Sequence, residues 1–189
     1  MSTLPTGILL AAGHSRRFGD NKLLHAIDED TPMLFASARN LLTALPQSVA
    51  IINEELMPYT GQLEQMGMTV VVNEQPDRGM GFSIACGINA SQGAPGWLIT
   101  LADMPYLKTD TLEQLVDRLM EDADIVAPLY EQQRGHPVGF NQRFKDELMA
   151  LDGDIGARQI IQKYKSQLEL IPCTDAGVIT DVDELSDIA

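Results

Sequence analysis

Short aliphatic runs alternate along the chain with longer stretches whose apolar positions recur at helical spacing. TGILLA (6–11) predicts a first strand, because a continuous apolar run of this length suits a strand covered on both faces. VAIIN (49–53), MTVVVNE (68–74) and GWLITLA (96–102) repeat the pattern. Between them, PMLFASARNLLTAL (32–45) predicts a helix opened by Pro32, and GMGFSIACGINAS (79–91) a helix whose small residues allow close approach to a sheet. TDTLEQLVDRLMED (109–122) predicts an amphipathic helix with a Thr cap. Further on, DIVAPLY (124–130) and HPVGF (136–140) read as strands around the EQQRG turn, NQRFKDELMAL (141–151) and IGARQIIQKY (155–164) as helices, and LELIPC (168–173) and VITDV (178–182) as late strands. This succession predicts an α/β sheet with helices on both sides, in Rossmann-like layering.

Composition keeps that picture to one domain. The chain has 189 residues, 44% hydrophobic, with no low-complexity tract and no internal repeat, which suits one compact unit with a sizeable core. The N-terminal apolar run lacks a basic start and is too short for a signal core or a membrane span, so a cytoplasmic protein is expected. Cys86 and Cys173 stand far apart, outside any metal-ligand spacing, which argues against a disulfide framework and against structural zinc and favours buried thiols. A net charge of −14 repels polyanions, so neither nucleic acid nor an anionic membrane is an expected partner. After Lys165 there are six acids and no further cation, which reads chiefly as a solvated face.

Against that acidity, the stretch GILLAAGHSRRFGDNK (7–22) stands out. A glycine-bearing loop after a buried strand lies at the carboxyl edge of the sheet, where α/β folds collect ligands. Gly13 and Gly19 would let backbone N–H groups approach a phosphate, and Arg16, Arg17 and Lys22 supply countercharge. The spacing is neither GxGxxG nor GxxxxGK followed by Ser or Thr, which sets aside a dinucleotide fingerprint and a Walker loop.

LAAGHSRRFGDNK instead has the form LAAGxSxRxG with a later Lys, and resembles the signature loop of the MobA-like nucleotidyltransferases, most closely their molybdenum cofactor cytidylyltransferase branch. NEQPDRGMGFS (73–83), LADMP (101–105), RGHP (134–137), DGDIGAR (152–158) and DVDELSD (181–187) follow in family order, so the resemblance covers nearly the whole chain. It implies a single-domain, Rossmann-like three-layer α/β/α fold with a mixed, mostly parallel sheet, similar to nucleotide-diphospho-sugar transferases. Residues of about 1–107 would bind nucleotide and those of about 108–189 the acceptor. The implied reaction is Mg²⁺-dependent transfer of CMP from CTP to the terminal phosphate of molybdopterin or molybdenum cofactor, with release of pyrophosphate. LAAG favours CTP, since the guanylyl-transferring branch typically has LAGG.

By resemblance, Leu10, Ala11, Ala12, Gly13, Ser15, Arg16, Arg17, Gly19, Lys22, Asn73, Gly79 and Ser83 would bind the nucleotide, and Arg16, Lys22 and Asp103 would form the catalytic set. For Asn73 and Gly79 the competing reading is plain turn chemistry after a strand. Asp103 follows the apolar run WLITLA, which puts a carboxylate at the end of a buried strand, and Mg²⁺ takes one or two protein carboxylates and leaves its other positions to phosphate and water. A turn cap before YLKTD is its alternative. Asp181 and Asp183 alternate on the expected last strand, so only one can face a metal, and Asp181 is preferred. The family usually reads DxDTPED there, and Glu184-Leu185 departs from it. His136 and Arg158 would meet the acceptor by resemblance, with a surface histidine and an ordinary helix-start arginine as the alternatives. His14 and His25 have no ligand partner at metal spacing and carry no assignment. Other nucleotidyl acceptors (sugar or isoprenoid phosphates), use of GTP, and a noncatalytic accessory protein that hands the cofactor to a recipient molybdoenzyme stay open on the same scaffold.

Overall fold

A computed structural model describes residues 4–13, 21–28 and 30–182. The chain runs β1 (Thr6–Ala11), α1 (Met33–Ala44), β2 (Ser48–Ile52), α2 (Thr60–Met66), β3 (Thr69–Val72), α3 (Gly79–Ala90), β4 (Gly96–Leu101), α4 (Thr109–Met120), β5 (Ile125–Tyr130), β6 (Gln133–Arg134), β7 (Val138–Asn141), α5 (Lys145–Met149), α6 (Arg158–Lys163) and β8 (Leu168–Pro172). Strand order is β3-β2-β1-β4-β7-β5, with β8 on the far side of β5 and the short β6 extending the β5–β7 hairpin. β1, β2, β3 and β4 are parallel, with Ile8 opposite both Val49 and Ile99. β7 enters antiparallel to β4 and β5, and β8 restores parallel pairing. The architecture is the expected single-domain α/β fold with a mixed, mostly parallel sheet.

Strand alternation explains the three layers. In β1, Leu9 and Ala11 face a cluster with Leu34, Leu41 and Leu115, while Ile8 faces the opposite cluster with Ile84, Ile88, Trp97 and Phe140. Both faces are therefore apolar, and the strand reads as an unbroken run rather than an alternation. Gly87 of α3 lies where a Cβ would come within 2.8 Å of Ile8, so small residues do let this helix close on the sheet.

The expected strand over 178–182 does not form. Ala176–Val178 is a single 3-10 turn, and 179–182 run on without ladder pairing. The apolar signal has another cause: Val178 and Ile179 pack in a satellite cluster with Met104, Leu107, Tyr130 and Cys173, and Val182 joins the main core. Asp181 therefore sits on a strap and not on a strand, and Asp183 lies outside the described residues. α4 also lacks the expected Thr cap: its N-cap is Lys108, with no side-chain cap bond. The helix expected over 141–151 divides into a 3-10 turn and the five-residue α5. That over 155–164 shortens to α6, after turns in which Gly153 and Gly156 take positive φ. The two cysteines are free and half-buried, and burial pushes the Cys86 thiol up, away from reactivity.

Candidate functional site

The carboxyl ends of β1 and β4 converge, and the Ala102 N–H donates to the Leu10 carbonyl at 3.0 Å. Above them opens a cleft of about 470 Å³ lined by Leu10, Ala12, Gly13, Gly79, Ser83 and Asp103, among others. Ala11 points to the other side of the sheet, into the core, as the two-residue period of β1 requires. Ser15, Arg16, Arg17 and Gly19 lie outside the described residues.

Lys22 crosses to Asp103, its Nζ donating to Oδ2 at 2.8 Å, with the two side chains 16% and 24% exposed. Lys22 opens a 3-10 turn capped by Asn21, whose Oδ1 accepts the Leu23 N–H and whose amide donates to Glu55. Asp103 is held from several sides. The Ser37 hydroxyl of α1 donates to the Ala102 carbonyl at 2.8 Å, and the Asn40 amide donates to the carbonyls of Pro105 and Leu107. On the other flank the Val182 N–H donates to the Asp103 carbonyl at 2.9 Å, which brings the strap bearing Asp181 alongside. Asp103 Oδ1 is buried with no hydrogen-bond partner. A buried carboxylate oxygen left unpaired is costly, and a hard divalent cation satisfies it. Among the described residues no three His, Cys, Asp or Glu side chains cluster.

Asn73 and Ser83 are bonded to each other: the Asn73 amide donates to the Ser83 hydroxyl at 3.0 Å, and Asn73 Oδ1 accepts the Gln75 N–H at 2.8 Å. Asn73 is 1% exposed, so its side chain braces the 73–79 loop. It lines a neighbouring cavity with Asn53, Glu54 and Glu55, and Pro76 forms the wall shared with the first cleft. Gly79 has φ +86, and a Cβ there would meet the Gly153 carbonyl oxygen at 2.6 Å. Arg78 grips both oxygens of Asp152, and the backbones of Gly81 and Gly153 complete the joint, so NEQPDRGMGFS and DGDIGAR form one wall. Gly79 thus meets a packing demand as well as lining the cleft.

His136 is partly buried, and its N–H donates to the Val178 carbonyl at 2.8 Å. Burial first and Arg134 second hold its imidazole below the ordinary value, while Asp103 and Asp181 pull it up. All three charges therefore act on one ring. Arg134, exposed on β6, is itself lowered, first by partial desolvation and then by the charge of Arg158 at the start of α6. Arg134 belongs to the RGHP motif, and nothing local in that motif signals that the charge of Arg158, 24 residues on, reaches it. Ser37 and Asn40 had no local sign either, since each looks like an ordinary polar position on a helix.

Residues 7–168 match the model of the MobA-like NTP transferase domain. The chain belongs to that family. Among curated relatives, nicotine blue oxidoreductase of Paenarthrobacter nicotinovorans is 26% identical over 94% of this chain and 91% of its own. A probable molybdenum cofactor guanylyltransferase of Natronomonas pharaonis is 30% identical over 65% of this chain and 61% of its own. The crystal structure of Rv0371c from Mycobacterium tuberculosis superposes with a TM-score of 0.83 at 27% identity, covering 99% of this chain and 96% of that one. As a MobA-like NTP transferase domain the chain is a nucleotidyltransferase by family. Among the described residues no helix is long and apolar enough to cross a membrane.

Proposed function

We propose that the protein transfers CMP from CTP to the terminal phosphate of molybdopterin or molybdenum cofactor and releases pyrophosphate. The observation that carries this reading is the Lys22–Asp103 pair at 2.8 Å, with Asp103 Oδ1 buried and unpartnered, at the edge of a cleft of about 470 Å³. The nucleotide occupies the side built by residues of about 1–107 and the acceptor the side built by those of about 108–189. The sequence-level resemblance and the name of the Natronomonas pharaonis relative support the molybdenum cofactor as acceptor. Ala12, which lines the cleft where the guanylyl-transferring pattern has glycine, supports CTP.

In this mechanism the acceptor phosphate is already anionic and attacks the α-phosphorus in line, so the protein needs no strong base. Its task is to bring two anions together and stabilise charge on the equatorial oxygens. Lys22 exchanges its bond to Asp103 for the triphosphate, joined by Arg16 and the backbone N–H groups of the first loop. Asp103 and Asp181, the latter on the strap whose Val182 N–H bonds the Asp103 carbonyl, would hold Mg²⁺. The ion supplies Lewis-acid stabilisation and orients the phosphates. Arg134, Arg158 and His136 receive the acceptor phosphate, and the charge that Arg158 exerts on Arg134 supports an anion-binding role for the pair.

Pyrophosphate release is measured with Mg²⁺ and molybdenum cofactor, comparing CTP with GTP. Acceptor-dependent release from CTP that disappears in Asp103→Ala is the expected result. Release from GTP alone overturns the base assignment, and release only with sugar or isoprenoid phosphates overturns the acceptor. Nucleotide binding without turnover moves the protein to the accessory class, in which a recipient molybdoenzyme is the relevant partner.

A further inference from the structure

Asp175 is 2% exposed, yet its carboxylate is fully employed. Oδ2 accepts the Lys108 N–H and the Thr111 hydroxyl, each at 2.9 Å, and Oδ1 accepts the Gly177 N–H at 2.9 Å. A buried carboxylate is stable only when its oxygens are bonded, and here the bonds tie two distant segments together. Lys108 and Thr111 begin α4, directly after the Asp103 loop, whereas Gly177 opens the strap that carries Asp181.

The strap is fitted closely along its length. A Cβ on Gly177 would fall 2.3 Å from the Tyr106 carbonyl oxygen, and one on Gly135 would fall 2.3 Å from the Val178 carbonyl oxygen. That same Val178 oxygen accepts the His136 N–H, and four residues on, the Val182 N–H bonds the Asp103 carbonyl. One segment of eight residues, 175–182, therefore touches the loop of Asp103, the backbone of His136 and the start of α4, and it carries Asp181.

We propose that Asp175 is a positioning residue: by pinning the strap to the start of α4 it fixes Asp181 and the Asp103 loop at one spacing and so sets the affinity of the site for a divalent cation. This rests on Asp103 being the cation-holding carboxylate. Asparagine offers one acceptor oxygen and an amide that cannot accept, so Asp175→Asn leaves either the α4 donors or the Gly177 N–H without a partner. Gly177→Ala moves the strap by a different route, with Asp175 intact.

The test compares wild type, Asp175→Asn, Gly177→Ala and the milder Thr111→Val by amide hydrogen exchange, by Mn²⁺ titration followed by electron paramagnetic resonance with CTP present, and by thermal unfolding. Faster exchange at the amides of His136 and Val182, and Mn²⁺ affinity lowered by about ten- to a hundredfold in Asp175→Asn and Gly177→Ala, are expected, the range seen when partners of metal ligands are removed. Thr111→Val, which loses one bond of the three, falls between these and wild type. A lower melting temperature with Mn²⁺ affinity unchanged in the folded protein overturns the proposal, as does unchanged exchange at both amides. Wild type that shows the expected Mn²⁺ and exchange behaviour but no pyrophosphate release leaves the positioning role standing and defeats the transfer reaction alone. Wild type that binds no Mn²⁺ overturns both.

Discussion

Asp103 meets two different demands with its two oxygens. Oδ2 is bonded by the Lys22 ammonium, whereas Oδ1 is buried and unpartnered. A lysine is a compact, mobile charge, so it can leave the carboxylate when phosphate arrives. Lys22→Gln keeps a hydrogen-bonding side chain and removes the charge. It is expected to lower pyrophosphate release by about 10²–10³-fold, the usual cost of removing one charge-stabilising donor. Steady-state kinetics with CTP check this, and an unchanged kcat would place Lys22 outside the reaction. Lys22 stood out in the sequence as a cation of the glycine-bearing loop and Asp103 as the acid after an apolar run, with their joint role implied by the resemblance. Their pairing could not be read there, since it joins positions 81 residues apart.

At the scale of elements, the site is set by what α1 and the strap do to the loop after β4. The Ser37 hydroxyl donates to the Ala102 carbonyl in a buried bond. Ser37→Ala removes that donor and is expected to cost about 1–3 kcal/mol, the price of a buried group left unsatisfied. Urea unfolding checks it, with a lower midpoint and an unchanged slope. β1, β2 and β4 were readable as strands because both of their faces are covered and the apolar run is unbroken. α2 was missed: it follows a 3-10 turn containing Pro58, and its seven residues bury only Leu63, too little to make a visible period. The strap was misread for the opposite reason, since Val178 and Val182 are fully buried without belonging to any strand.

For the whole molecule, the charge of −14 makes acid response a useful probe. Hydrogen bonds from Arg78, then from the Gly153 N–H, lower the Asp152 carboxyl, and bonds from Tyr164 and then Lys163 lower that of Glu147. Carboxylates lowered in the folded state stabilise it fully above the ordinary carboxylate range and lose that contribution as pH falls through the range toward their folded values. Asp152→Asn and Glu147→Gln are therefore expected to reduce the melting temperature modestly near neutrality and to converge with wild type in strong acid. Thermal unfolding across pH checks this; a gap that widens on acidification would contradict it. Because Asp152 and Arg78 join the wall beside Gly79, the first variant also loosens one side of the cleft.

The sequence by itself determined the layered α/β plan, the glycine-bearing loop after the first strand and the acid after the fourth, because covered strands and ligand loops leave local patterns of apolar and small residues. Tertiary structure alone decided that Gly79 packs on Gly153, that Lys22 bonds Asp103, and that Asp175 ties the strap to α4. These are contacts between segments far apart in the chain. No local period encodes them, and a buried carboxylate such as Asp175 shows its role only when the donors that surround it have been brought together.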